Sequence, residues 1–184
     1  MQEKYPDAEI CVFDSICASG GHGLLIYHAI ENKKKGMSVK ENMQALEELK
    51  HRIVHKFTVD DLTYLQRGGR ISKTAAVIGG MIQLKPVLHV DTEGRLAAES
   101  KVRGRKKALN QLLAEMDICT GGYADKQDVV LICHADCPED AEYVRAKVEE
   151  KYHPNKIIMS EVGPIVGAHV GPGTMVLIFE GDKR

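Results

Sequence analysis

Apolar runs alternate with glycine-rich and charged segments along this chain, and the alternation indicates an α/β protein. Residues 8–15 are typical of a buried strand, and the glycine turn that follows leads into an apolar helix over about 24–32. A strand, a glycine loop and a helix in this order form an α/β unit. Ser38 and Glu41 have the spacing of a capping box and predict a second helix that ends near residue 52.

The chain beyond residue 55 contains enough predicted elements for a core of its own. A hairpin is expected around the glycine-containing turn 91–94. Further strands are predicted at 57–59, 129–133, 157–159 and 175–179, and helices at 60–65, 73–82, 105–117 and 138–152. Asp136 and Glu139 have the capping-box spacing before the last helix. We therefore expect a mixed sheet with flanking helices.

The front of the chain predicts one strand and two helices, which cannot form a domain alone. A lone strand buries neither its faces nor its edges. We interpret residues 1–54 as the carboxyl-terminal part of a first α/β domain whose beginning is absent, and residues 55–184 as a second α/β domain. The alternative is that residues 1–53 add an edge strand to a single sheet.

Composition and charge exclude several classes of function. A net charge of −1, with 28% charged residues, argues against general nucleic-acid binding. No apolar run approaches the ~18 residues of a membrane span, and no signal peptide is visible. Five cysteines in such a chain indicate reduced thiols and a cytoplasmic location. Residues 133–137 carry two cysteines, but no second ligand pair appears, so we predict no metal site.

The segment 163–173 places His169 among glycines and prolines, just before an apolar strand. Glycine permits close approach of the backbone to a ligand, and proline fixes turns. We expect a loop that holds the imidazole beside bare amide groups, where a small anionic or polar head group would bind. The alternative is a tight crossing in which the histidine caps a turn.

Two further segments concentrate cations. Arg67 and Arg70 bracket a glycine pair between two predicted helices, an arrangement that favours carboxylate or phosphate, although a glycine-capped helix end with solvated arginines explains it equally well. Residues 101–107 place five cations at a helix start, the positive end of its dipole. An acidic protein surface or a phosphate would relieve that repulsion; the alternative is a solvated basic face.

The loop 14–23 follows the first predicted strand, where α/β folds bind ligands, but it matches neither a dinucleotide fingerprint nor a Walker loop. It is a tight turn or part of a shared pocket. A triad of Ser15 or Ser19 with His169 and Asp14 is conceivable, but spacing alone does not test it.

In this order the motifs resemble the DegV family of bacterial fatty-acid-binding proteins. The resemblance covers about residues 9–180 and rests on six segments of the sequence: 14–23, 57–72, 84–88, 101–109, 134–136 and 163–173. Each motif is loose, and the six in order are specific. The family's opening segment, with its serine-glycine-threonine motif, has no counterpart here, so we expect a DegV architecture with a truncated first domain.

The resemblance implies a function and a set of residues. DegV proteins hold a long-chain fatty acid between two α/β domains, and some present it to a fatty acid kinase, whose acyl phosphate product feeds phospholipid synthesis. The carrier is not an enzyme and needs no cofactor. The resemblance implies that His169 contacts the carboxylate, and we predict Gly167, Arg70, Arg67 and Ser19 as further fatty-acid-binding residues. The basic segment 101–107 is our own candidate for docking the kinase, with Arg103, Arg105 and Lys106 as the docking residues.

An acyl tunnel would be walled by apolar residues of the second domain, although the same residues could form its plain core. The candidates are Leu62, Leu65, Val77, Ile78, Met81 and Ile82. Two rival functions stay open: a serine/histidine hydrolase or acyltransferase, and a subunit of a dihydroxyacetone-kinase-like system.

Overall fold

A computed structural model describes residues 3–72 and 84–184, and within them a mixed six-stranded sheet organises the protein. The strands are β1 (Ile53–Thr58), β2 (Leu84–Val90), β3 (Leu96–Arg103), β4 (Val129–Ala135), β5 (Lys156–Glu161) and β6 (Thr174–Glu180). Their order is β3-β2-β1-β6-β4-β5, and β4–β5 is the parallel pair among antiparallel neighbours. The predicted mixed sheet with flanking helices is confirmed.

Six helices accompany the sheet in the described part of the chain. They are α1 (Gly20–Lys34), α2 (Val39–Leu49), α3 (Leu62–Arg67), α4 (Arg105–Thr120), α5 (Pro138–Tyr152) and α6 (Pro164–Val170). The capping box before α2 is confirmed, since the Glu41 amide donates to Ser38 Oγ and the Ser38 amide donates to the Glu41 carboxylate. A 3₁₀ turn, Lys50–Arg52, then leads directly into β1. None of the described helices is long and apolar enough to cross a membrane.

Alternation along the strands separates two cores. On one face, long helices α4 and α5 cover the sheet with side chains such as Leu112 and Val144, which pack with Val54 of β1 and Leu177 of β6. We call this the closed face. Because each strand turns every second residue to the opposite side, neighbouring residues of β1 and β6 face a different layer.

The opposite face, which we call the open face, has two covers of unequal size. Helices α1 and α2 pack over Ile53 and Ile178 at one end of the sheet. At the other end, the short helices α3 and α6 contribute Leu65 and Val170 to a smaller cluster around Phe57. A groove lies beside this second cluster.

The predicted strand over 8–15 is wrong. No strand from residues 3–52 joins the sheet, so the alternative of an added edge strand is wrong as well. Val12 is 94% exposed, because no neighbouring strand among the described residues pairs with this segment or covers its side chains. Helices α1 and α2 share a core with β1, β4 and β6; the division between residues 54 and 55 stays a prediction.

The capping box predicted before α5 is also wrong. Pro138 takes the first helical position, so Cys137 and not Asp136 is the N-cap, and its side chain makes no capping hydrogen bond. Asp136 lies one residue outside the helix and adopts a left-handed φ of 54°. The helix predicted over 73–82, with the tunnel candidates Val77, Ile78, Met81 and Ile82, lies outside the described residues.

A candidate ligand-binding groove

A groove of about 690 Å³ opens on the open face, between the sheet and the helices α3 and α6. Its floor crosses four neighbouring strands and takes Leu96 from β3, Val90 from β2, Phe57 from β1 and Val176 from β6. Three inter-strand spacings of ~4.8 Å make this floor about 14 Å wide. The volume lies within the roughly 300–1,000 Å³ of small-molecule sites.

The walls of the groove are also apolar. Leu65 of α3 and Ile71 line one side, and α6 supplies Ile165, Val166 and Val170. Ile165 is 82% exposed, so a large aliphatic side chain stands at the mouth with most of its surface in water. An apolar ligand seated here would remove this surface from water.

Polar side chains line the same groove. Three of them are predicted site residues: Ser19, Arg70 and His169. Three more, His55, Ser72 and Arg95, complete the polar lining. The arrangement therefore combines an apolar floor with hydroxyl, imidazole and guanidinium groups, which suits a ligand that has a long apolar part and an anionic end.

His169 reaches the groove from a helix, so the loop predicted over 163–173 is wrong. Gly163 is the N-cap of α6 and Pro164 opens it, as proline does at a first helical position. The structure ends α6 before Gly171, whose φ is 77°. The apolar side chains of α6 hold it over the groove, and they favour a helix where the glycines alone indicate a loop.

Two predicted site residues lie elsewhere. Gly167 lines a separate, shallow cleft with His134 and Glu161. Arg67 is exposed at the end of α3 and is not part of the groove lining. The structure therefore brings three of the five predicted fatty-acid-binding residues together.

Ser19 enters the groove through a strained turn at the start of α1. Its φ is 49°, and its side chain makes no capping hydrogen bond. The next turn is packed tightly, since a Cβ on Gly21 would lie 1.9 Å from His55 Nε2. The glycine loop is therefore needed so that α1 can rest directly on a histidine of the sheet.

His55 is a groove residue that the sequence analysis did not place in the site. Burial is the main reason that its pKa falls from 6.5 to about 4, so the imidazole is neutral near pH 7. Nε2 lies 3.3 Å from the Ala18 carbonyl oxygen, which only accepts, so Nε2 carries the proton and donates. The available signal was a histidine between Ile53 and Phe57, at a position of β1 where alternation calls for an apolar side chain.

The described residues do not assemble the rival catalytic triad. Ser15 Oγ lies 3.2 Å from His22 Nδ1, and Asp14 Oδ1 accepts from the Ile16 amide at 3.0 Å. Among the described residues no hydrogen bond joins His169 to either serine or to Asp14. The described residues therefore do not form the triad of His169 with Asp14 and a serine that the rival function requires.

The basic segment is partly neutralised within the fold. Arg105, the first residue of α4, donates to Asp140 at 2.7 Å and lies 3.5 Å from Asp60. Arg103 and Lys106 are exposed beside it. The expectation of uncompensated cations at the helix start therefore does not hold for Arg105, which is an ion-paired structural residue as well as a docking candidate.

Comparison with known proteins identifies the family. An α/β sheet with an apolar groove on one face defines a small-molecule-binding class. The chain matches the family model described as "Uncharacterised protein, DegV family" over residues 1–182, and it belongs to the DegV family. The resemblance drawn from the motifs is confirmed.

Relatives and solved structures agree with this assignment. A DegV domain-containing protein of Clostridium perfringens is 42% identical over 184 residues, which are 100% of this chain and 62% of the relative. The crystal structure of DegV from Bacillus subtilis, described as a fatty acid binding protein, has a TM-score of 0.77 at 31% identity and covers 92% of this chain and 60% of its own. The Streptococcus pneumoniae fatty acid kinase (Fak) B3 protein, loaded with linoleic acid, has a TM-score of 0.88 at 22% identity, with 98% and 63% covered. The chain thus spans about 62% of the length of the curated relatives it matches.

Proposed function

We propose that this chain binds a long-chain fatty acid in the groove of the open face. The observation that carries the proposal is the continuous apolar floor across four strands with His169, Arg70 and Ser19 in the same lining. The acyl chain lies on the floor, and the carboxylate meets these polar groups. Two neighbours support this choice of ligand: the Bacillus subtilis protein is described as a fatty acid binding protein, and the Streptococcus pneumoniae protein is loaded with linoleic acid.

Burial of the hydrocarbon supplies most of the affinity. An acyl chain of ~14 methylenes, at ~0.8 kcal/mol each, contributes roughly 11 kcal/mol before costs. Association entropy removes several kcal/mol of that sum. The carboxylate contacts therefore serve mainly to orient the ligand and to avoid an unpaired charge at the rim.

His169 and Arg70 are suited to that contact. Arg70 uses Nη1 to donate to the Gly68 carbonyl oxygen at 2.8 Å, which holds the guanidinium at the rim while other donors face outward. The half-buried imidazole of His169 offers a further donor. A carboxylate at this point gains charge-assisted hydrogen bonds, which are about twice as strong as neutral ones.

The biological role that we propose is that of a cytoplasmic acyl carrier without a catalytic centre of its own. It presents the bound carboxylate to a fatty acid kinase, which forms the acyl phosphate for phospholipid synthesis. Arg103, Arg105 and Lys106 dock that partner, and the exposed pair Arg103 and Lys106 supplies the free charge. The Streptococcus pneumoniae neighbour, a fatty acid kinase protein by name, supports this role.

Ligand binding is tested by mass spectrometry of lipid that co-purifies with the chain and by calorimetric titration of the delipidated chain with oleate. We expect a bound fatty acid, and an oleate affinity that falls about tenfold in His169→Ala, because a hydrogen bond to a charged group is worth roughly 1.5–3 kcal/mol. His51→Ala, an exposed histidine outside the groove, should bind like wild type. Absence of both lipid and heat of binding would refute the proposal.

Partner docking is tested with a purified fatty acid kinase. The charge reversals Arg103→Glu and Lys106→Glu should slow acyl phosphate formation and leave oleate affinity unchanged. Arg105 is avoided, since its reversal would also break the ion pair with Asp140. Lys35→Glu, exposed just beyond α1 and outside the groove lining, is the matched control. If the two reversals act no more strongly than the control, the docking assignment fails.

A further inference from the structure

The two short helices beside the groove are joined by reciprocal contacts between a ring and a glycine. Helix α3 has six residues and α6 has seven, lengths at which an isolated helix is not stable in water. Their positions therefore depend on what they pack against. Each helix presents one ring to a glycine that belongs to the end of the other.

The first contact joins Gly68 at the end of α3 to His169 of α6. A Cβ on Gly68 would lie 2.1 Å from His169 Nδ1 and 3.1 Å from Cε1 and Cγ, so the imidazole rests on the bare backbone. The φ of Gly68 is −75°, a value that any residue adopts. Glycine is required here for space and not for backbone conformation.

The second contact runs in the opposite direction. Tyr64 of α3 lies against Gly171, where an added Cβ would meet three ring atoms at 2.6–2.8 Å. The φ of Gly171 is 77°, so this position favours glycine both for space and for backbone conformation. The two contacts together fix how α6 lies on α3, and with it the direction in which His169 points.

Gly68 also positions the second cation of the rim. Its carbonyl oxygen accepts from Arg70 Nη1 at 2.8 Å, while the Arg70 amide donates to the Leu65 carbonyl oxygen at 2.8 Å. Gly68 therefore gives the imidazole the space that a Cβ would occupy, and its carbonyl group accepts from the guanidinium.

We propose that Gly68 is a positioning residue that sets His169 and Arg70 at the mouth of the groove. This inference rests on the proposed fatty-acid-binding function and adds the residue that orients its head-group contacts. A methyl group added at Gly68 would displace the His169 ring. His169 is held on a helix, and the ring atoms nearest Gly68 include Cγ, which is close to the backbone of His169 and cannot swing far away.

The test begins with Gly68→Ala, titrated with oleate. We expect the affinity to fall about tenfold, as in His169→Ala, because the imidazole no longer reaches the carboxylate. Gly163→Ala is the matched control on α6, since an added Cβ there meets no atom within 4 Å and φ is −63°. An unchanged affinity in Gly68→Ala would overturn the inference.

A double-mutant cycle separates positioning from a general loss of stability. In the His169→Ala background the ring is gone, so Gly68→Ala should cost less than twofold further affinity. If Gly68→Ala costs the same factor in both backgrounds, Gly68 acts through the fold and the inference is wrong. Should Gly68→Ala fail to fold, Tyr64→Leu loosens the same helix pair without adding a clash and should weaken oleate binding about threefold; no effect of it would count against the inference.

A readout without ligand makes this inference distinguishable from the proposed function. The His169 ring resonances in NMR spectra should shift in Gly68→Ala and stay as in wild type in Gly163→Ala. If wild type binds no oleate while these resonances shift, the proposed function fails and the positioning role stands. If the resonances do not move, the positioning role is wrong whatever the chain binds.

Discussion

The closed and open faces of one sheet are built from alternate residues of the same strands, yet they are covered very differently. Helices of 16 and 15 residues, α4 and α5, cover the closed face, and a single large cluster of buried side chains fills the space beneath them. Helices of six and seven residues meet the far end of the open face, where they leave a groove of about 690 Å³. In the described part of the chain, long helices therefore cover the filled core and short helices border the groove.

The buried polar side chains of the two faces also differ in charge and in their partners. Lys56, on the closed face of β1, donates to both carboxylate oxygens of Glu99 at 2.8 Å. The adjacent residue His55, on the open face, stays neutral and donates to one carbonyl oxygen. The buried charge of Lys56 is therefore paired with a carboxylate, whereas the buried imidazole of His55 is uncharged and needs no ion pair.

Adjacent residues of β6 give the largest expected contrast between the faces. Leu177→Ala, on the closed face, should lower the free energy of unfolding by about 2–5 kcal/mol, because it leaves a cavity in a filled core. Val176→Ala, on the groove floor, should cost about 1 kcal/mol or less, because Val176 is only half-buried. Urea unfolding measures both changes.

Oleate titration of the same pair supplies the reverse contrast. Val176→Ala removes part of the floor and should weaken oleate binding severalfold, whereas Leu177→Ala should leave the affinity unchanged. If the two variants changed stability equally and oleate affinity equally, the assignment of a filled core to the closed face and of a binding surface to the open face would be wrong.

A pH titration of stability gives the next largest effect. The pKa of His55 is about 4 in the fold and 6.5 as the reference value, so the unfolded chain binds the proton more readily between these values. The stability that the fold has with His55 neutral is therefore fully present above about pH 6.5, and it is lost as the pH falls towards 4. We expect about 2 kcal/mol of stability to disappear between about pH 7 and pH 5 from this group.

His55→Phe is the variant that isolates this contribution. In His55→Phe, the loss of unfolding free energy between about pH 7 and pH 5 should be smaller than in wild type by about 2 kcal/mol. His51→Ala, which changes an exposed histidine, should show the wild-type loss. If His55→Phe shows the wild-type difference, the buried neutral histidine is not its source.

The smallest expected effect lies at the covered end of the open face. Ser38→Ala removes the capping box of α2 and should cost about 1 kcal/mol in urea unfolding. Oleate affinity should stay at the wild-type value, since the cap lies outside the groove lining. Ser160→Ala, on an exposed edge strand, is the control and should be neutral; a loss of affinity in Ser38→Ala would show that the two ends of this face are coupled.

Local patterns predicted much of the fold. The capping box of Ser38 and Glu41, the hairpin around 91–94 and the strand predicted over 175–179 are confirmed, since each depends on residues close together in the sequence. Three residues of the candidate site, Ser19, Arg70 and His169, were also found from glycine-rich or cationic segments.

Other features depended on contacts that local patterns do not contain. Residues 8–15 read as a buried strand, but an apolar run forms a strand only where a neighbour pairs with it. The segment 163–173 read as a loop, but packing of α6 on α3 made it a helix. The place of His55 in the groove was not predicted, because its neutrality results from burial beneath α1, which no local motif indicates.

The sequence by itself determined the α/β class, the DegV family and the chemistry available at the site, because glycine spacing, helix caps and alternation act over a few residues. Only the tertiary structure decided which of those residues meet. Ser19, Arg70 and His169 come from segments far apart in the chain and line one groove, while Gly167 and Arg67 lie outside it. The reason is that packing of short helices on a sheet sets distances between remote side chains, and those distances appear in no local pattern.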